Sequence, residues 1–202
     1  MLFKDSIEQL RPSPISFSGI VEKRYNLQLV KARKAKDILP YAKEIFELIN
    51  TAYEGLYGVV PLTDKQIQYY TKQYFSFIRT DFVPLVLDKN GKLVAFGVTM
   101  PSLSIALQKA RGSLLPFGFL HILKALKKNK LADFYLIAIR KDFQGKGVNA
   151  ILMHELAKTY IKNGIKYAET NPELEVNKKV QSIWDHYDAI QHKRRRCYIK
   201  HL

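Results

Sequence analysis

A single cysteine, Cys197, stands among 202 residues. A lone thiol excludes an internal disulfide and any metal site built on paired cysteines, and it fits a reducing compartment. The ordinary fate of such a residue is a buried or half-buried strand position. Long apolar runs are missing too: no window reaches the roughly 18 consecutive apolar residues that a membrane span needs. The opening MLFKDSIEQLRPSPISFSG has neither the apolar stretch nor the small-residue cleavage pattern of an export signal. The expectation is a cytoplasmic protein without a membrane partner. Acids are also scarce, with 18 Asp and Glu against 33 Lys and Arg and a net charge of +15. Between Asp88 and Asp133 no acid occurs, whereas Lys89, Lys92, Lys109, Arg111, Lys124, Lys127, Lys128 and Lys130 do. After Asp188 the chain carries Lys193, Arg194, Arg195, Arg196 and Lys200, again with no acid. Such a surface implies an anionic counterpart, whether a nucleotide cofactor, nucleic acid, an acidic carrier protein or a membrane surface, or else a plain solvated face.

What is present is a core-forming chain, 47% hydrophobic, of a length for one large domain or two small ones. Residues 1–24, with Pro12, Pro14 and Gly19, read as a tail or linker, and residues 25–202 as the folded domain. NLQLVKA alternates as a first strand. Asp37 is placed as an N-cap, followed by Tyr41, Ile45, Leu48 and Ile49 at helical spacing, and a second helix is expected from Thr63 to about Phe77. The period then changes to two. DFVPLVLDKNGKLVAFGVTMP reads as a hairpin whose turn, Asp88 to Gly91, uses Asn90 and Gly91 for positive backbone dihedrals. Residues 101–130 form a basic insertion of two short helices, SLSIALQKAR and FLHILKALKK. DFYLIAIR follows as a central strand, apolar on both faces. A helix from Gly147 to Asn163, a strand IKYAET, a helix from Glu175 to Tyr187 and a last strand RCYIKHL complete the order.

The turn FQGKGVNA joins the central strand to the long helix. Helix-start amides, a favourable dipole and glycines that admit close approach make an anion cradle there, to which Lys146 adds a point charge. It is not a P-loop, because Gly147 rather than Ser or Thr follows the lysine. A dinucleotide fingerprint would place glycine where Ala150 stands, and its strand would open the domain instead of following two helices and a hairpin.

The order of elements, with Gln144, Gly145, Lys146, Gly147, Val148 and Asn149 matching the pattern Q/R-x-x-G-x-G/A, resembles the GNAT superfamily of N-acyltransferases. The resemblance implies an α/β (α+β) fold, a mixed, centrally splayed β-sheet flanked by helices, here with a helical insertion between the third and fourth strands. It also implies transfer of an acyl group, from acetyl-CoA or another acyl-CoA, to a primary amine of a small molecule or peptide. Carried over, the turn residues Gln144 to Asn149 hold the cofactor's pyrophosphate, Ile137, Ala138 and Ile139 pair with pantetheine, and Asn177 contacts the cofactor. The family's tyrosine, which protonates the leaving thiolate, corresponds to Trp184, whose indole has no proton to give at neutral pH. Tyr187, one turn further on, is the substitute candidate, in an apolar stripe with Val176, Val180, Ile183 and Trp184 that equally suits a core. Glu169 and Glu175 are the candidate bases for the attacking amine, with helix-cap or surface-pair roles as the alternative.

The five histidines, His121, His154, His186, His192 and His201, show no metal-binding spacing, and no metal is expected. His154 is placed at the surface and His121 toward a substrate cleft. The insertion reads either as a lid for an anionic acceptor or carrier, or as a helical hairpin covering the sheet. Two other functions stay open: a GNAT-like module that binds CoA without turnover, and a nucleic-acid-associated protein, for instance with tRNA, whose 12 tyrosines and 11 phenylalanines suit base stacking.

Overall fold

The computed structural model describes residues 2–4, 17–30, 32–74 and 78–200. Seven strands form one sheet in the order β2-β3-β4-β5-β6-β1-β7. They are β1 (Leu2–Lys4), β2 (Gln28–Leu29), β3 (Leu85–Leu87), β4 (Leu93–Pro101), β5 (Leu131–Ile139), β6 (Tyr167–Thr170) and β7 (Ala189–Ile190). Every pairing is antiparallel except that of β5 with β6. The helices are α1 (Phe17–Tyr25), α2 (Ala35–Ile38), α3 (Ala42–Ala52), α4 (Asp64–Tyr74), α5 (Ser104–Lys109), α6 (Gly118–Lys127), α7 (Val148–Asn163) and α8 (Lys178–Gln181). The result is the mixed, helix-flanked sheet expected. The insertion falls between β4 and β5 because a strand at residues 2–4 precedes the first one read from the sequence.

Both faces of the sheet are covered, and this explains why β4 is apolar almost throughout. On one face Ile38, Ile45 and Leu48 pack against Leu85, Leu87, Leu93 and Phe96. On the other, Val148, Ile151 and Leu152 meet Val86, Val94 and Ala95, while Leu156 and Tyr160 meet Phe82, Phe134 and Trp184. The parallel step from β5 to β6 needs a crossover, and α7 supplies it. Gly164, with φ of 68°, ends α7 in the left-handed conformation that a helix stop favours.

Local chemistry follows the sequence closely in places. The Asp88 carboxylate accepts the amides of Asn90 and Lys92 at 2.9 and 3.0 Å and so closes the hairpin, in which Gly91 alone takes a positive φ. At α4, Thr63 and Gln66 form a reciprocal cap, with Gln66 Oε1 accepting the Thr63 amide at 2.9 Å. Asp37 caps differently from expectation. It lies inside α2 and reaches back to the amides of Arg33 and Lys34 at 2.9 and 3.0 Å, and these bonds hold its pKa below the ordinary value.

Several expectations are corrected. In the region read as a tail, residues 2–4 form β1 between β6 and β7, and residues 17–25 form α1 against α7; the intervening residues 5–16 lie outside the described residues. So do residues 75–77, where the second helix was expected to end. The expected helix from Glu175 to Tyr187 shrinks to α8 and a 3-10 turn at Trp184–His186, with Val176 77% exposed. Residues 191–200 form no strand, Cys197 is exposed there, and His201 and Leu202 lie outside the described residues. His154 is half-buried, and burial lowers its pKa.

Candidate functional site

Strand β5 has two different neighbours along its length. It pairs with β6 only over residues 131–134. Beyond that point the two separate, for two reasons written in the chain. On β6, the Asn171 amide still reaches Phe134 O at 3.1 Å, but Pro172 has no amide with which to continue. On β5, the register against β4 slips at Tyr135, so that Val98 faces Leu136 while Thr99 faces Phe134. A bulge of this kind bends a strand and increases its twist.

Past the bulge, Arg140 donates its amide to Val94 O, and Ala138 lies opposite Phe96. By the alternation of an antiparallel ladder, the peptide groups of Ala138 therefore face β4, and those of Ile137 and Ile139 face the opening gap. Side chains from three separate segments fill part of the role of the departed strand. Asn171 Nδ2 donates to Tyr135 O at 3.4 Å, Tyr53 Oη to Ile137 O at 2.9 Å, and Gln144 Nε2 to Ile139 O at 3.1 Å. The gap-facing carbonyls are thus satisfied by the protein. The amides of Ile137 and Ile139 are the backbone donors that the ladder directs into the gap.

The turn lies at the end of this gap. Arg140 anchors it, binding Asp142 at 2.8 Å and Asp88 at 3.1 Å, so the hairpin and the turn are tied together. Burial opposes ionisation of Asp88, but the amides of Lys92 and Asn90 and the Arg140 guanidinium outweigh it and lower its pKa. Gly145 and Gly147 have φ of 73° and 76°. A Cβ at Gly145 would meet nothing within 4 Å, so this side of the turn is open. At Gly147 a Cβ would lie 2.9 Å from Phe17 Cε1 and 3.3 Å from Val21 Cγ2, so α1 closes the other side. Gly147, the N-cap of α7, and Val148 and Asn149, its first residues, carry amides without helical acceptors. Lys146 Nζ sits 5.4 Å from the ring centre of Tyr25 and 5.2 Å from that of Phe143. Open glycine, helix-start amides and a lysine together fit a diphosphate.

The remaining candidates fall into different settings. Glu169 is bound by Lys193 at 2.7 Å and lies 3.2 Å from His192 Nε2, and the Lys193 ammonium above all holds its pKa below the ordinary value. Glu175 is exposed and paired with Arg194. Asn177 caps α8, accepting the Val180 amide at 3.4 Å. Trp184 is buried, edge-on to Phe134 at 5.6 Å, and donates its indole N–H to Glu173 Oε1 at 2.7 Å. Tyr187 lies half-buried with its ring 6.3 Å from that of Trp184, and burial raises its pKa. His121 is exposed on α6.

Sequence reasoning passed over Asp133 and Tyr53. Asp133 lies on β5 opposite Glu169, two residues before the bulge, and its Oδ2 accepts the Tyr135 hydroxyl at 3.2 Å. Burial raises its pKa, against the hydrogen bonds of Ser102 and Tyr135; the Tyr135 phenol is itself pushed up to about 12, first by burial. The available signal was a carboxylate at the head of an otherwise apolar strand. Nothing local marks Tyr53, whose partner is 84 residues away.

Residues 42–183 match the model of the Acetyltransferase (GNAT) family. The chain is 23% identical over 188 residues to protein YghO of Escherichia coli (strain K12), covering 90% of this chain and 47% of that one. To the bacterial ceramide synthase of Caulobacter vibrioides (strain NA1000 / CB15N) it is 26% identical over 175 residues, covering 82% and 45%. The chain therefore spans about half the length of the curated relatives it matches. Among solved structures, an aminoglycoside acetyltransferase, meta-AAC0020, from an uncultured soil metagenomic sample, in complex with sisomicin, superposes with a TM-score of 0.57 at 14% identity, covering 89% of this chain and 99% of that one.

Proposed function

The chain belongs to the GNAT acetyltransferase family, and from that premise we propose that it is an acyl-CoA-dependent N-acyltransferase acting on a primary amine. The observation that carries the reading is the gap between β5 and β6 ending at the glycine turn. Bound acyl-CoA would supply the activated thioester, leaving as free CoA thiol. The amides of Ile137 and Ile139 would pair with its pantetheine, and Gly145, Lys146 and the amides of Gly147, Val148 and Asn149 would hold its diphosphate. Gln144 would act indirectly, fixing Ile139, and Asn177, whose Oδ1 caps α8, is the further candidate for a cofactor contact.

For the acceptor, a base must take a proton from an ammonium group. Glu169 is already held by Lys193, which lowers its pKa and weakens it as a base, and Glu175 is exposed and paired with Arg194. Asp133 is the better base, since burial leaves it more proton-seeking than an ordinary aspartate and it lies just before the gap. Tyr187 keeps its proton at neutral pH, because burial raises its pKa, and is the proposed donor to the departing thiolate. The similarity to a bacterial ceramide synthase favours a long-chain partner, as amine or as acyl group, over a small polar one.

Release of free thiol from acetyl-CoA and from longer acyl-CoAs, in the presence of amines graded in chain length, tests the reading. Turnover is expected to rise with chain length. Tight CoA binding without thiol release from any pair would favour the silent module. For the base, kcat/KM should rise with pH along a limb centred above 3.8, the ordinary aspartate value, since only the ionised form accepts a proton. Asp133→Asn should remove that limb and lower the rate by about 10²–10⁴-fold. An unchanged rate and profile would exclude the role.

A further inference from the structure

The insertion between β4 and β5 has an unusual surface. Helices α5 and α6 pack on each other, yet the side chains at the tip between them face outward: Leu114 is 55%, Leu115 77% and Phe117 70% exposed. Ile105 on α5 and Leu120 and Leu123 on α6 are exposed as well. Isolated exposed leucines are common, but a cluster of this size on one hairpin marks a surface that meets something apolar. The same segment contains Lys109, Arg111, Lys124, Lys127, Lys128 and Lys130 and no acid. Among the described residues, none of these six cations is in an ion pair.

We infer that this hairpin docks the protein onto an anionic lipid bilayer, with the leucines and Phe117 entering the interface and the lysines and Arg111 meeting lipid headgroups. A bilayer offers an apolar layer beneath a negative one, and both halves of the surface are then matched at once. Lysine suits this position, because its stem lies along apolar matter while its charge stays wet. A second copy of the chain suits it less, since a two-fold contact through the patch would bring the six cations against their own copies. Nucleic acid would meet the cations but leave the aliphatic side chains without a partner. No helix among the described residues is long and apolar enough to cross a membrane, so the association is one of lying on the surface.

The inference does not rest on the catalytic reading, and its test contains no acyl donor. The 202-residue chain would be sedimented with vesicles of phosphatidylcholine alone and with vesicles that are about one third phosphatidylglycerol. Binding is expected to the second kind, to weaken as salt rises, and to be at least about tenfold weaker to the first. The double variant Leu115→Ser, Phe117→Ser should lose at least about tenfold in affinity. The triple variant Lys124→Glu, Lys127→Glu, Lys128→Glu should lose about a hundredfold or more. Both sets lie at exposed positions, and their unfolding midpoints should match the parent's, separating lost docking from lost folding. Failure to sediment with anionic vesicles, or variants that sediment like the parent, would overturn the inference. So would a concentration-dependent dimer that Phe117→Ser dissolves, which would make the patch a protein interface.

Discussion

Gly147→Val is expected to destabilise the protein by about 2–4 kcal/mol and to weaken CoA binding by more than about tenfold, because strain and crowding act at the same atom. With φ at 76°, a side chain there adopts a left-handed conformation that costs roughly 1–2 kcal/mol in any residue with a Cβ. The added carbon would also press on Phe17 and Val21. Phe17 is 62% exposed and can swing aside, whereas Val21 is buried and cannot do so easily. Crowding therefore adds on the order of 1–2 kcal/mol, toward the low end for overpacking. Gly145 separates the two effects. Its φ is 73° but its surroundings are open, so Gly145→Ala should show the backbone cost alone. Urea midpoints give the stabilities, and calorimetric titration with CoA gives the affinities. A Gly147→Val protein that binds CoA as the parent does would place the diphosphate elsewhere.

Trp184→Ala should cost about 3–5 kcal/mol, the range for removing a large buried aromatic side chain. The indole is 2% exposed and packs edge-on against Phe134. Its loss would open a void at the base of the gap and leave Glu173 without its 2.7 Å donor. Trp184→Phe keeps most of the packing and gives up the hydrogen bond to a carboxylate, for about 1.5–3 kcal/mol. Thermal and chemical unfolding measure both. Since the indole supplies a wall and not a proton, Trp184→Phe should keep the parental pH profile of thiol release at reduced stability. A stability loss below about 1 kcal/mol for the alanine variant would contradict the anchoring role given to the ring.

Where the sequence was legible, the reason was local. Alternation over DFVPLVLDKNGKLVAFGVTMP and the Asp88 turn identify a hairpin because neighbouring residues close it. Gly147 and Asn163-Gly164 bracket α7 because left-handed caps are decided by the backbone at a single residue. The turn with Gln144 to Asn149 was legible for the same reason, and with it half of the candidate site. Strand β1 has three residues, too few to show a period, and its partners are β6 and β7 at the far end of the chain. At the C-terminal end, the apolar spacing predicted a helix through Trp184, but the α-helix stops at Gln181 and Trp184 serves the core from a 3-10 turn, against Phe134 and bonded to Glu173.

The other half of the site exists only in three dimensions. The width of the gap depends on Pro172 ending one strand and a bulge at Tyr135 bending the next, and its carbonyls are filled by Tyr53, Gln144 and Asn171 from three separate segments. Asp133 looks like any strand residue until burial between Ser102 and Tyr135 changes its affinity for a proton. By itself, the sequence determined the hairpin, the central strand, the long helix and the glycine turn between them, because those depend on backbone preferences of adjacent residues. Tertiary structure decided that Glu169 is held in an ion pair while Asp133 is half-buried with its pKa raised, because burial and the approach of charges such as Lys193 to Glu169 are set by contacts across the fold.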